Sequence, residues 1–207
     1  SNAGIKVEVA LWSGGLDAFA GLCCRIRDHA AERFLLIGEG SNSPMKGVQE
    51  RVFTALSERL PDADLARVTI AAAKSREKGG KKLQKNTWLR SRGLVFMLLG
   101  SAYACLEGQR ALAVYENGIG AINLPFRASE VGLEHTRSVH PLSMRYVSQF
   151  VSMLIGEPFL VHNPFLWSTK AEMCRVLDEL DVTDIAWETV SCDRPYRSHT
   201  PQCGRCS

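Results

Sequence analysis

The chain has 207 residues, 45% apolar and 23% charged, with a formal net charge of +3. That balance reads as an ordinary soluble globular protein, and the length suits one domain with a sizeable core and a short appendage. No apolar stretch approaches the roughly 20 residues a bilayer requires, and no basic-then-apolar leader is present, so a cytoplasmic protein without a membrane partner is expected. Ser1-Asn2-Ala3 reads as an expression-tag scar.

Residues 5–12 alternate toward a strand, with Val7, Val9 and Leu11 on one face, and end directly in a glycine pair. From Asp17 the period changes to that of an amphipathic helix carrying Phe19, Leu22, Cys23 and Ile26. A second strand, Phe34 to Ile37, is stopped by Gly38 and Gly40. Pro44 then opens a helix striped by Met45, Val48, Val52, Leu56 and Leu60, and Pro61 closes it. Arg67 to Ala72 reads as a third strand. The run Lys74 to Lys85 that follows carries six basic residues against Glu77 alone, as a solvated loop or as a flap over a polyanion.

Trp88 to Leu106 is apolar on nearly every side, which predicts a buried central helix. A fourth strand, Ala111 to Tyr115, leads into a Gly- and Asn-rich loop, Asn117 to Asn123. A helix with Val147, Phe150, Val151 and Leu154 on one face precedes a fifth strand, Phe159 to His162. The last clear helix starts at Thr169, which forms a capping box with Glu172 and places Met173, Val176, Leu177 and Leu180 inward. Strand and helix thus alternate five times, predicting an α/β fold over residues 4–186: a five-stranded parallel sheet with helices on both faces. Ligands of such sheets bind beyond the carboxyl ends of the strands, so the loops after each strand are the places for function.

Seven cysteines divide into two groups. Cys23, Cys24, Cys105 and Cys174 sit within apolar helical patterns and read as small buried hydrophobes. Cys192, Cys203 and Cys206 cluster in a polar C-terminal segment, residues 187–207. Their odd number and the missing secretory signal disfavour disulfides, and a Cys-Gly-x-Cys knuckle with a third thiolate favours structural Zn²⁺. A fourth ligand is absent within the chain, His199 being the one nearby substitute.

At the first strand-to-helix junction, Ser13-Gly14-Gly15-Leu16-Asp17 has the small residues that let backbone N–H groups face an anion, with a helix dipole behind them. Asp17 has the wrong sign for phosphate and fits better as a ligand through Mg²⁺. The loop resembles the PP-loop, Ser-Gly-Gly-x-Asp-Ser, of the N-type ATP pyrophosphatases, with Ala18 in place of the last serine. This resemblance implies ATP as cosubstrate, cleavage between its α and β phosphates, and a nucleotide site over Leu11, Trp12, Ser13, Gly14, Gly15, Leu16 and Asp17.

Within that group the chain is most similar to the QueC family, the 7-cyano-7-deazaguanine synthases. Arg90 to Phe96 resembles its Arg-Asn-x-x-Phe segment, with Arg92 in the arginine position. Asn163 to Glu172 resembles its Pro-x-x-x-x-x-Lys-x-Glu helix start, and Ser191-Cys192 with Cys203-Gly204-Arg205-Cys206 resembles the opening of its zinc motif. The resemblance places the fourth zinc ligand two positions past Ser207. It implies adenylation of a carboxylate with pyrophosphate release, then attack by ammonia or another amine. Asp17, Arg92 and Lys170 are the catalytic candidates, and Glu116 and Asn117, after the fourth strand, the substrate-reading ones. The family's Tyr-Pro-Asp-Cys-Arg segment has no counterpart here. That leaves open another small carboxylate, a nucleobase in tRNA or other nucleic acid, a protein terminus, or a non-catalytic ATP-binding subunit of a larger complex such as those of phage defence. A homodimer is also compatible.

Overall fold

A computed structural model describes residues 5–40, 43–71, 92–122 and 139–191. The basic run Lys74 to Lys85 and the cysteines Cys192, Cys203 and Cys206 lie outside the described residues. In chain order the elements are β1 (Val7–Trp12), α1 (Leu16–Arg27), β2 (Arg33–Glu39), α2 (Ser43–Arg59), β3 (Asp64–Ile70), α3 (Arg92–Leu106), β4 (Ala111–Ala113), α4 (Gly118–Ile122), α5 (Pro141–Ile155), β5 (Leu160–His162), α6 (Lys170–Glu179) and α7 (Thr183–Ala186). The five strands form one parallel sheet in the order β3-β2-β1-β4-β5. The order reverses between β1 and its neighbour β4, so the crevice of the sheet opens where β1 ends.

Period-two alternation divides the strand side chains between two cores. Ala10 and Trp12 of β1, Phe34 and Leu36 of β2 and Ala113 of β4 face one side, where they pack with α1, α2 and α6. Val9, Leu11, Leu35, Ile37 and Leu112 face the other, packed with α3 and α5. The expected two-sided α/β architecture is therefore present. The helix lines differ in one respect. Of α3, Met97, Gly100, Ser101 and Ala104 are buried, whereas Leu94 and Leu106 are exposed. It is an outer layer, covered by the sheet on one side, rather than a central helix. Helix α5 likewise buries Met144, Val147 and Val151 while Phe150 and Leu154, expected inward, are exposed. Its apolar residues form two stripes, and only the one spaced 144-147-151 meets the sheet.

One polar group interrupts the first core. Glu8 shares the face of Ala10 and is held by Arg25 Nε at 2.9 Å and by the Tyr115 hydroxyl at 2.6 Å. Burial pushes its carboxyl up, but the hydrogen bonds from Arg25 and Tyr115 and the Arg25 charge outweigh burial and leave it below its ordinary value. Tyr115 in turn meets Phe165 edge to face, with ring centroids 5.8 Å apart. These contacts tie the amino-terminal part of β1 to Tyr115 after β4 and to Phe165 in the loop after β5. Cys23 and Cys24 are buried beside them in the first core, and burial pushes both thiols up, keeping them protonated and inert. Among the described residues no helix is long and apolar enough to cross a membrane.

Gly21 is the position where α1 passes closest to Tyr115: a Cβ there would stand 2.5 Å from the tyrosine Cβ. In an unconstrained helix Gly→Ala stabilises by about 1 kcal/mol. Here the intruded atom sits next to backbone and has no room to yield, so Gly21→Ala should destabilise by about 1–3 kcal/mol, as overpacking does. A urea midpoint at or above that of the parent protein would contradict this packing.

Candidate functional site

The first strand delivers its loop from two buried anchors. Leu11 points into the α3 core and Trp12 into the α1 core, where the indole Nε1–H donates to the Gln49 carbonyl at 3.0 Å. Both side chains are thus scaffold, and the groups at the surface begin with Ser13. Gly14 has φ +77°, a left-handed conformation that a side chain would strain, and a Cβ there would come within 3.1 Å of Gln49. Gly15 is the N-cap of α1 and has no side chain to satisfy the helix's first N–H groups. Two serine hydroxyls take that role. Ser13 Oγ accepts from Gly15 N at 3.2 Å, and Ser191 Oγ accepts from Leu16 N at 2.9 Å. Sequence reasoning missed Ser191 at this loop, because its position beside Cys192 pointed to metal and nothing local brings residue 191 to residue 16.

Asp17, in the first turn of α1, is gripped from two sides. Lys170 Nζ lies 2.8 Å from Oδ2, and Asn117 Nδ2 donates to Oδ1 at 3.0 Å. The Asn117 amide also donates to Glu116 Oε1 at 3.1 Å, so one –NH₂ bridges two carboxylates. Lys170 owes its place to the expected capping box: Thr169 Oγ accepts from Glu172 N at 3.2 Å and Glu172 Oε2 accepts from Thr169 N at 2.7 Å, setting Lys170 as the first residue of α6. Burial disfavours the charged lysine, but the hydrogen bond and charge of Asp17 more than compensate and raise its pKa.

The segment after β4, expected as a loop, contains the short helix α4. Its glycines answer to close approach: a Cβ on Gly118 would stand 2.1 Å from the Leu166 carbonyl oxygen, and one on Gly120 2.4 Å from Glu116 Oε1. Asn117 Oδ1 accepts from Gly120 N at 3.0 Å, so the asparagine caps this turn while its amide faces Asp17. Asn163, after β5, donates from Nδ2 to the Glu116 carbonyl at 2.7 Å, tying the β4 and β5 loops together. Glu116 is pushed up to about 7, first by burial and then by the negative charge of Asp17, with Lys170 opposing.

Four of the candidates, Asp17, Lys170, Glu116 and Asn117, are therefore one hydrogen-bonded and charged group. Arg92 is separate from it. It opens α3 near the end of β2, where its guanidinium meets Glu39 Oε2 at 2.7 Å; Glu39 is buried and Arg92 half exposed. Glu39 was not anticipated: in sequence it lies between Gly38 and Gly40, past the expected end of the second strand, whereas β2 continues through it. Among the described residues no group of three or more His, Cys, Asp or Glu side chains is placed to hold a metal.

Residues 47–207 match the family model of the queuosine biosynthesis protein QueC. The chain belongs to the QueC family. The matched stretch starts after the loop Ser13 to Asp17 and includes Arg92, Glu116, Asn117, Lys170 and the C-terminal cysteines. Among solved structures, the fold is similar to that of the U34-tRNA thiolase NcsA from Methanococcus maripaludis, a structure containing a [4Fe-4S] cluster. The likeness has a TM-score of 0.54 and 12% identity and covers 86% of this chain. The chain spans 58% of the length of that neighbour. At that identity the likeness establishes a shared fold.

Glu116 gives the site a pH signature. Its folded pKa is raised above the ordinary 4.5 to about 7, so its stabilising contribution is complete below 4.5 and is lost as pH rises through 7. Glu116→Gln should match the parent protein near pH 4.5 and exceed it by about 1–3 kcal/mol at pH 8. Urea unfolding at the two pH values measures the difference, and equal gaps at both would remove the argument.

Proposed function

We propose that this QueC-family protein binds ATP on the loop Ser13 to Asp17 and uses it to adenylate a carboxylate, releasing pyrophosphate, before ammonia or another amine completes the reaction. The observation that carries this reading is the convergence of Asp17, Lys170, Asn117 and Glu116 beside that loop, at the reversal point of a parallel sheet. In the first step a substrate carboxylate oxygen bonds to the α-phosphorus and the α–β bridging P–O bond breaks, the electron pair leaving with pyrophosphate. In the second the amine nitrogen bonds to the acyl carbon, AMP departs, and the nitrogen loses a proton.

Each resident group has a part in that chemistry. Lys170, fixed on Asp17, supplies positive charge where the phosphates gather, and Arg92 can approach from the β2 side by exchanging Glu39 for phosphate oxygen. Asp17 offers carboxylate oxygen, the ligand type that suits Mg²⁺, and already holds a cation in Lys170. A Mg²⁺ bound there would neutralise polyphosphate charge. Glu116, poised near neutrality, and Asn117 form the polar wall against which the substrate would lie, and Glu116 is suited to accept the proton that the amine loses. The C-terminal thiolates Cys192, Cys203 and Cys206 would hold a structural zinc.

The decisive assay is chromatography of nucleotides after mixing the protein with ATP, Mg²⁺ and candidate carboxylates. AMP and pyrophosphate should form in equal amounts, and Asp17→Ala and Lys170→Ala should each reduce kcat/KM by about 100-fold or more. ADP in place of AMP, or undiminished turnover in Asp17→Ala, would overturn the proposal. For the tail, elemental analysis of the purified protein should find one zinc per chain, lost in Cys203→Ser; a metal-free parent protein would contradict it.

A further inference from the structure

The two hydroxyls at the phosphate loop come from opposite ends of the chain yet occupy consecutive backbone donors: Ser13 takes the N–H of Gly15, and Ser191 the N–H of Leu16. Ser191 is built into place. Val190 N donates to the Gly14 carbonyl at 3.3 Å, and the Val190 side chain is buried in the same core as Trp12 and Ala18. Upstream, Thr189 Oγ donates to the Ala186 carbonyl at 2.7 Å, and Asp184 is paired with Arg59 of α2 at 2.8 Å. The first turn of α1 has no hydroxyl of its own, since Leu16, Asp17 and Ala18 follow the glycine cap and the Ala18 methyl is buried in the core. A hydroxyl that accepts one N–H keeps its own proton to donate. Among the described residues no group accepts the Ser191 O–H, which lies at the N-terminus of α1 beside the loop's backbone donors.

We propose that Ser191 is a phosphate-binding residue, bringing a hydroxyl from the C-terminal segment onto the nucleotide loop. The inference rests on the reading that this loop binds ATP. On binding, the Ser191 O–H turns to a phosphate oxygen while its Oγ continues to accept from Leu16. The Ser13 O–H does the same one residue earlier, and the two act as a pair.

Calorimetric titration of the full chain with ATP and, separately, with adenosine tests this. Relative to the parent protein, Ser191→Ala should bind ATP about 10-fold more weakly and adenosine equally well, the size of one hydrogen bond to a charged group. Ser191→Thr, which keeps the hydroxyl, should stay within about twofold of the parent for both, so a loss in the alanine variant is assigned to the hydroxyl and not to altered packing. Parental ATP affinity in Ser191→Ala would overturn this role alone and leave the nucleotide reading standing. An equal loss for ATP and adenosine would make Ser191 a structural cap and also overturn it. A parent protein that binds no ATP would remove the nucleotide reading and this inference with it.

Discussion

The site depends on how Asp17 is held. A carboxylate in the first turn of α1 is favoured by the helix dipole, yet this one is largely buried and needs a counter-charge. The protein balances that charge from two other loops, with Lys170 on one oxygen and the Asn117 amide on the other. Because these partners follow β5 and β4, the contact closes the crevice between β1 and β4 and gives three strand ends one shared geometry. Whatever displaces Lys170 or Asn117 from Asp17 must replace a charge-assisted contact in a partly buried setting, where unpaired groups are expensive.

The glycines around the site serve the same closure. Gly118 and Gly120 let the turn after β4 press against Leu166 and Glu116, which leaves the Glu116 carboxyl short of water and close to Asp17. A side chain at either position would push the turn outward and hydrate the carboxyl. Hence the raised pKa of Glu116 follows from backbone packing, in a segment whose sequence looks merely loop-like. On the β2 side, Glu39 is as buried as a core residue, and Arg92 provides a fixed counter-charge at 2.7 Å.

Much of this was legible because it is local. The strand that runs into Gly14 and Gly15, the helical period from Asp17 and the Thr169–Glu172 capping box each declare themselves within a few residues. The placements of Asp17 and Lys170 at helix starts followed from the same signals. What was hidden involves long-range contacts or competing propensities. Gly118 to Ile122 has too much glycine to announce a helix, and it forms one because Asn117 caps it and the neighbouring loop demands close approach. The apolar run of α3 suggested burial on all sides, since composition reports apolarity without saying how many layers cover it. Glu39, Gln49 and Ser191 reach the site through the topology of the sheet, which no window of sequence contains.

The placement of Val190 and Ser191 changes the standing of the C-terminal segment. Read from sequence, it is a tail beginning near residue 187; in the structure its start is bonded to the loop Ser13 to Asp17. Val190 is buried in the core that also holds Trp12 and Ala18, so the segment is fixed by the same packing that fixes the loop. By linkage, a ligand that uses that hydroxyl and the packing that holds Val190 and Ser191 against the loop stabilise each other by the same free energy. Residues 13–16 and 190–191, far apart in sequence, thereby meet on a single short stretch of backbone where α1 begins.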